Sequence, residues 1–175
     1  RRVLFRSQPT GVQIKAIPAA MNGADLLVAS STGSGKTAAF MLPALERIVA
    51  ARGDNKRREK GKVHGPRVLV LAPTRELAMQ VAKAASTYGK HLQGLRVATI
   101  VGGVPYGAQL KALKGPLDVL IATPGRLLDH LGTGAAVLSN LEVLVLDEAD
   151  RMLDMGFIDD IEAIAEQTPA ERQTL

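Results

Sequence analysis

Five short stretches of the chain are almost continuously apolar: DLLVA (Asp25 to Ala29), RVLVLA (Arg67 to Ala72), RVATIV (Arg96 to Val101), LDVLIA (Leu117 to Ala122) and EVLVLD (Glu142 to Asp147). Their brevity and their Val, Leu and Ile content predict strands. The lack of polar alternation predicts burial on both faces. Between them, residues 36–51, 74–90 and 158–166 carry apolar side chains at three- and four-residue spacing, which predicts helices laid on a sheet. Strand and helix in alternation predict an α/β fold: an open, mostly parallel sheet with helices on both faces. No internal repeat or linker-like segment divides the chain, so residues 8–175 read as one domain. Ligands of such sheets bind at the carboxyl ends of the strands, so the residues just after each apolar run are the candidates for function.

Composition narrows the picture. With 175 residues, 46% of them hydrophobic and 22% charged, the chain can bury a full core, which excludes a disordered or fibrous protein. No apolar run reaches the length of a membrane span, and the N-terminus has neither a secretory nor a transit profile, so a cytoplasmic location, no membrane partner and a monomer are expected. Zero Cys excludes disulfides, thiolate zinc and Cys nucleophiles, and three scattered His make a His-based metal site a poor expectation. Any metal must then be held by oxygen. The net charge of +5 is not spread over the surface: residues 52–67 hold seven Lys or Arg against Asp54 and Glu59, residues 1–7 add three Arg, and the rest is mildly acidic. The basic segment 52–67 reads equally as a solvated loop or as an arm tracking a nucleic-acid backbone.

Both ends look cut. RRVLFRS, Arg1 to Ser7, matches the translation of AGA CGT GTG CTC TTC CGA TCT, which resembles a sequencing-adapter oligonucleotide. These residues are expected to be a non-native scar and are set outside the fold. At the other end, ERQTL (Glu171 to Leu175) starts a new strand, so the fold is expected to be truncated there and the natural protein to continue.

After the first apolar run comes SSTGSGKT, comprising Ser30, Ser31, Thr32, Gly33, Ser34, Gly35, Lys36 and Thr37, and then a helical segment. Gly33 and Gly35 allow backbone N–H groups to turn inward around phosphate oxygens, and the helix N-terminus adds partial positive charge. Lys36 supplies a point charge for the outer phosphates, and the Thr37 hydroxyl suits Mg²⁺. Ser30 stands where the general phosphate-loop pattern has Gly, and a bare turn before a helix is the alternative. After the fifth run come Asp147, Glu148, Ala149 and Asp150. Acids at the end of a buried strand are costly unless a cation or hydrogen bonds receive the charge. Beside a phosphate loop, Asp147 suits Mg²⁺ and Glu148 suits orienting or deprotonating an attacking water. The alternative is a helix N-cap formed by Asp147.

The tetrad Asp147 to Asp150 reads DEAD, and with the phosphate loop it resembles the first RecA-like domain of a bacterial-type DEAD-box ATP-dependent RNA helicase over residues 8–175. PTGVQ (Pro9 to Gln13) resembles the family's Q motif at about residues 8–13, which makes Gln13 the adenine contact. Phe5 and Arg6 do not fit the Gly-aromatic pair that the family places just before the Pro. PTRELA (Pro73 to Ala78), Gly102-Gly103 and TPGR (Thr123 to Arg126) are similar to its RNA-contacting motifs. The resemblance implies RNA contacts from Pro73, Thr74, Arg75, Gly102, Gly103, Thr123, Pro124, Gly125 and Arg126, made to backbone and 2′-OH. It implies ATP and Mg²⁺ as cofactors, with Lys36, Asp147 and Glu148 catalytic and Thr37 and Asp147 on the metal. It also implies a second RecA-like domain in cis, supplying arginines, and a Ser-Ala-Thr motif beyond Leu175 that bonds Asp150. By itself the chain is then expected to bind nucleotide weakly and not to unwind RNA. Two other readings are a different phosphate-loop nucleic-acid translocase and a non-catalytic, nucleotide-gated RNA clamp.

Overall fold

The computed structural model describes residues 3–5, 25–28, 65–89 and 95–168. Six strands run through them: β1 (Val3–Phe5), β2 (Asp25–Val28), β3 (Val68–Leu71), β4 (Val97–Ile100), β5 (Val119–Ala122) and β6 (Val143–Leu146). Five helices accompany them: α1 (Arg75–Gly89), α2 (Tyr106–Lys114), α3 (Pro124–Gly132), α4 (Ala149–Asp154) and α5 (Ile158–Glu166). The strands form one sheet in the order β1-β2-β6-β3-β5-β4, and every pairing is parallel. The helix predicted over 36–51, Gln13, Ser30 to Thr37 and the basic residues before position 65 lie outside the described residues.

Side-chain alternation along each strand divides the core in two. Leu26, Leu69, Leu71, Leu120, Ala122, Leu144 and Leu146 face one side, where they meet Leu113 of α2, Leu127 of α3, Met152 of α4 and Ile161 and Ile164 of α5. Val68, Val70, Val119, Ile121 and Val145 face the other side, against Ala78, Val81 and Ala85 of α1. Helices on both faces therefore account for the continuous apolar runs, since both sets of side chains are withdrawn from water. β4 departs from the expectation. At the sheet edge it alternates, with Val97 and Thr99 half-buried between buried Ala98 and Ile100, because an edge strand is flanked on one side only.

Val3–Phe5, set outside the fold by the sequence reading, pair in parallel with Leu26, Leu27 and Val28. Three residues extend the edge by parallel backbone pairing, whatever the origin of the segment. Arg67, counted with the basic stretch, belongs to the sheet: its Nη1 lies 3.7 Å from Glu142 Oε1, and its backbone carbonyl accepts from the N–H groups of Glu142 and Val143.

Register brings the carboxyl ends of the strands level. Leu71 pairs with both Ala122 and Leu146, Leu146 with Val28, and Ala122 with Ile100. The ladder runs one residue further, with Asp147 N–H donating to Leu71 O (2.9 Å), Ala72 N–H to Ala122 O (3.0 Å) and Thr123 N–H to Ile100 O (3.1 Å). The helix after β3 covers one face while those after β4, β5 and β6 cover the other. The connections thus diverge on either side of β3, the kind of switch point at which open α/β sheets bind ligands.

Candidate functional site

Along this level edge the four described loops carry most of the residues singled out in the sequence. After β3, Pro73 is buried, and the Thr74 hydroxyl accepts the N–H of Leu77 (3.2 Å) while its carbonyl accepts that of Ala78 (3.0 Å). Thr74 therefore caps α1, and its hydroxyl hydrogen stays available to a phosphate oxygen. Arg75 follows, exposed, at the first position of the helix.

After β4, Gly102 and Gly103 are exposed. Gly103 has φ +81, and a Cβ there would lie 2.8 Å from Nη1 of Arg75. The left-handed backbone favours glycine, and the Arg75 guanidinium lying over it brings two sequence motifs together at one place. Open space surrounds Gly102 and Gly125, where an added Cβ would meet nothing within 4 Å. No neighbour among the described residues requires glycine there, which suits close approach by a ligand backbone.

After β5, Thr123 is the N-cap of α3 in extended conformation (φ −87, ψ 146), Pro124 opens the helix, and no side-chain capping bond is made. Proline at the first helical position gives up only a donor that the helix would not have used. Arg126 is engaged within the protein. It is half-buried, its Nη1 donates to Val104 O (3.0 Å) and to Gln109 Oε1 (3.3 Å), and its guanidinium carbon sits 4.4 Å from the centre of the Tyr106 ring. That ring is tethered by its hydroxyl to Asp129 Oδ2 at 2.9 Å.

Behind it, His130 is fully buried, with Nε2 3.0 Å from Gln109 Oε1. Burial, and then the charge of Arg126, holds the His130 pKa below its ordinary 6.5, so the ring is neutral at pH 7. The hydrogen bond to Asp129 is the main cause that raises the Tyr106 pKa. Sequence reasoning passed over Gln109, Tyr106, Asp129 and His130. The available signal was a lone Gln in the otherwise apolar and basic face of YGAQLKALK, and it has no motif to announce it.

After β6, Asp147 is 6% exposed and Glu148 half-buried. The N-cap of α4 is Glu148, without a side-chain capping bond, which removes the reading of Asp147 as a cap. Glu148 has φ 53 and ψ 54, the sole positive φ outside glycine among the described residues. One Asp150 oxygen, Oδ1, is buried without a hydrogen-bond partner among the described residues. No group of three His, Cys, Asp or Glu among the described residues is placed to hold a metal unaided. Asp147 alone would need further oxygen ligands. Its buried carboxylate at the strand end fits that part, because Leu146 is in register with Val28, where the chain leaves β2 toward Ser30 to Thr37.

The family model described as DEAD/DEAH box helicase matches residues 10–175. ATP-dependent RNA helicase DeaD of Escherichia coli is 47% identical over 167 residues, covering 95% of this chain and 25% of that protein. A probable ATP-dependent RNA helicase, ddx27 of Dictyostelium discoideum, is 49% identical over 170 residues, covering 97% of this chain and 21% of the relative. The chain thus spans about a quarter of the length of the relatives it matches. Among solved structures, a hypothetical ATP-dependent RNA helicase from Sulfolobus tokodaii matches with a TM-score of 0.65 and 40% identity, over 93% of this chain and 43% of that one.

Proposed function

The chain belongs to the DEAD/DEAH box helicase family, and from that premise we propose that it is the ATP- and RNA-binding RecA-like domain of an ATP-dependent RNA helicase. The observation that supports this reading best is the level carboxyl edge. There the DEAD acids follow β6, while the PTRE loop follows its neighbour β3 and the Gly-Gly and TPGR loops follow β4 and β5 beyond it. Nucleotide chemistry and a polymer backbone are thereby assigned to adjacent strands of one rigid sheet.

On this reading Gln13 holds adenine, the backbone of Ser30 to Gly35 receives the phosphates, and Lys36 adds positive charge beside them. Thr37 and Asp147 would hold Mg²⁺, which when bound draws negative charge from the phosphate oxygens. Glu148 accepts the proton of the attacking water. Thr74, Arg75, Gly102, Gly103, Thr123, Pro124 and Gly125 contact the RNA backbone, with donors from the first turns of α1 and α3. The unsatisfied Asp150 oxygen is the site for the Ser of the family's Ser-Ala-Thr motif. The second RecA-like domain, in cis, supplies the charges that complete turnover. The adapter-derived origin of Arg1 to Ser7 and a cytoplasmic location belong to the same reading.

The test is ATP hydrolysis by the full reading frame that carries this chain, with and without single-stranded RNA, and with Glu148→Gln as control. RNA-dependent turnover that falls by at least about a hundredfold in the variant is expected for loss of a general base. Dependence on DNA in place of RNA would give the translocase reading, and nucleotide-dependent RNA binding without turnover the clamp.

A further inference from the structure

The glycine pair after β4 hangs between two carbonyl groups, Val101 O before it and Val104 O behind it, and both are held. Gln109 Nε2 donates to Val101 O at 2.8 Å, and Arg126 Nη1 donates to Val104 O at 3.0 Å. The two holding groups meet each other, since Arg126 Nη1 also donates to Gln109 Oε1 at 3.3 Å. Gln109 is only 2% exposed and its bond to Val101 O is buried, while the two bonds from Arg126 are partly buried. Its amide cannot be turned around: Val101 O accepts only, and the guanidinium donates only. Oε1 is therefore an acceptor on the His130 side as well, where Nε2 lies 3.0 Å away and must carry the hydrogen. That leaves Nδ1 bare, and it is buried without a partner among the described residues. The Tyr106 ring over Arg126, anchored to Asp129, holds the guanidinium in place.

We propose that Gln109 is a positioning residue for RNA binding. With Arg126 it sets the shape of the Gly102–Gly103 loop and locks that loop to the Thr123–Arg126 turn, so that the two act as one surface. The inference rests on the RNA reading of these loops. It also gives Arg126, whose Nη1 bonds Val104 O and Gln109, the part of a holder of the loop beside any contact its remaining N–H groups make with phosphate. An exposed glycine pair with one left-handed residue has many conformations to lose, and the clamp removes most of that cost before a ligand arrives. The groups it presents are neutral backbone N–H donors. Their loss weakens binding without releasing counterions.

The test uses the full reading frame, a short uridine-rich single strand and a non-hydrolysable ATP analogue. RNA Kd is measured over a range of salt, nucleotide Kd beside it, and cooperative melting is checked first. Gln109→Met keeps the length of the side chain and removes its three hydrogen bonds, those with Val101 O, Arg126 and His130. RNA Kd is expected to rise about tenfold, the effect of one to two buried hydrogen bonds, with the salt slope and the nucleotide Kd unchanged. In turnover, KM for RNA rises while kcat at saturating RNA stays, which a general loss of stability would not produce. Should Gln109→Met fail to fold, Gln109→Glu retains the acceptor for Arg126 and His130 and sets a carboxylate against Val101 O; the same loss of RNA affinity is expected. An unchanged RNA Kd in either folded variant overturns the inference. So does a salt slope lowered by about 0.7, the mark of one fewer neutralised phosphate on a single strand. Wild-type protein that binds no RNA overturns the RNA reading and the inference with it, whereas normal wild-type binding with indifferent Gln109 variants overturns the inference alone.

Discussion

Glu148 occupies a backbone conformation that costs a non-glycine residue roughly 1–2 kcal/mol. Backbone strain of this kind clusters at functional sites, which agrees with the catalytic part proposed for Glu148. Glu148→Gln retains the strain and the shape, so its stability should equal that of the wild type while turnover is lost. Glu148→Gly removes the strain against about 0.5–1 kcal/mol of added chain entropy, and should be equally stable or up to about 1 kcal/mol more stable. Urea unfolding of the three proteins checks both statements. A Gly variant clearly less stable than the Gln variant would show that the left-handed backbone costs nothing. His130 gives a second residue-level prediction. Its folded pKa lies below 6.5, so between the two values the unfolded chain takes up the proton that the folded one resists. The stabilisation from neutral His130 is complete above about pH 6.5 and lost as pH falls through it toward the folded pKa. Melting temperatures from pH 8 to 5 should therefore drop more steeply for wild type than for His130→Gln; parallel curves would mean that His130 charges freely in the native state.

At the scale of elements, β2 to β6 and the helices α1 and α5 were legible because burial imposes a period. α5 occupies the predicted 158–166, and α1 falls within the predicted 74–90, trimmed by a residue at each end, where Thr74 serves as the cap. Other features were hidden for identifiable reasons. The half-exposure of β4 depends on strand order, which no local pattern encodes. The hold of Gln109 on the glycine loop joins residues far apart in the chain through a side chain that belongs to no motif. Asp118 is a further case: inside an apolar run it reads as a strand end, yet it is 2% exposed and its Oδ2 accepts the N–H of Arg96 at 2.9 Å. Its carbonyl accepts the N–H groups of Arg67 and Val68, so one residue ties together the amino ends of β3, β4 and β5. Asp118→Ala leaves the Arg96 N–H without its acceptor and should cost about 1–3 kcal/mol. Urea midpoints that match wild type would remove Asp118 from the sheet's supports.

At the scale of the whole molecule, the described edge provides a rigid row of loops, and the chemistry proposed for it needs groups from elsewhere. Asp147 would supply one metal ligand where several are needed, and the carboxylate of Asp150 carries a buried oxygen with no partner among the described residues. Charge on a transferring phosphoryl group is stabilised in related chemistry by an arginine worth on the order of 10³ to 10⁵ in rate. The 175-residue chain by itself should therefore show nucleotide binding with little turnover and no strand separation, and adding the rest of the reading frame should restore both. The basic segment 52–67 can be tested in the same protein. If it tracks RNA, neutralising Lys56, Arg57, Arg58, Lys60 and Lys62 lowers the salt slope of RNA binding by about 0.7 for each phosphate no longer neutralised. Arg67 is left out because its guanidinium lies beside Glu142 at the foot of the sheet. A slope that stays at its wild-type value while Gln109→Met weakens binding would place recognition in the neutral loops of the carboxyl edge and make the basic segment a solvated surface. A falling slope would make binding a sum of two terms, a diffuse charge that gathers RNA and a shaped edge that holds it.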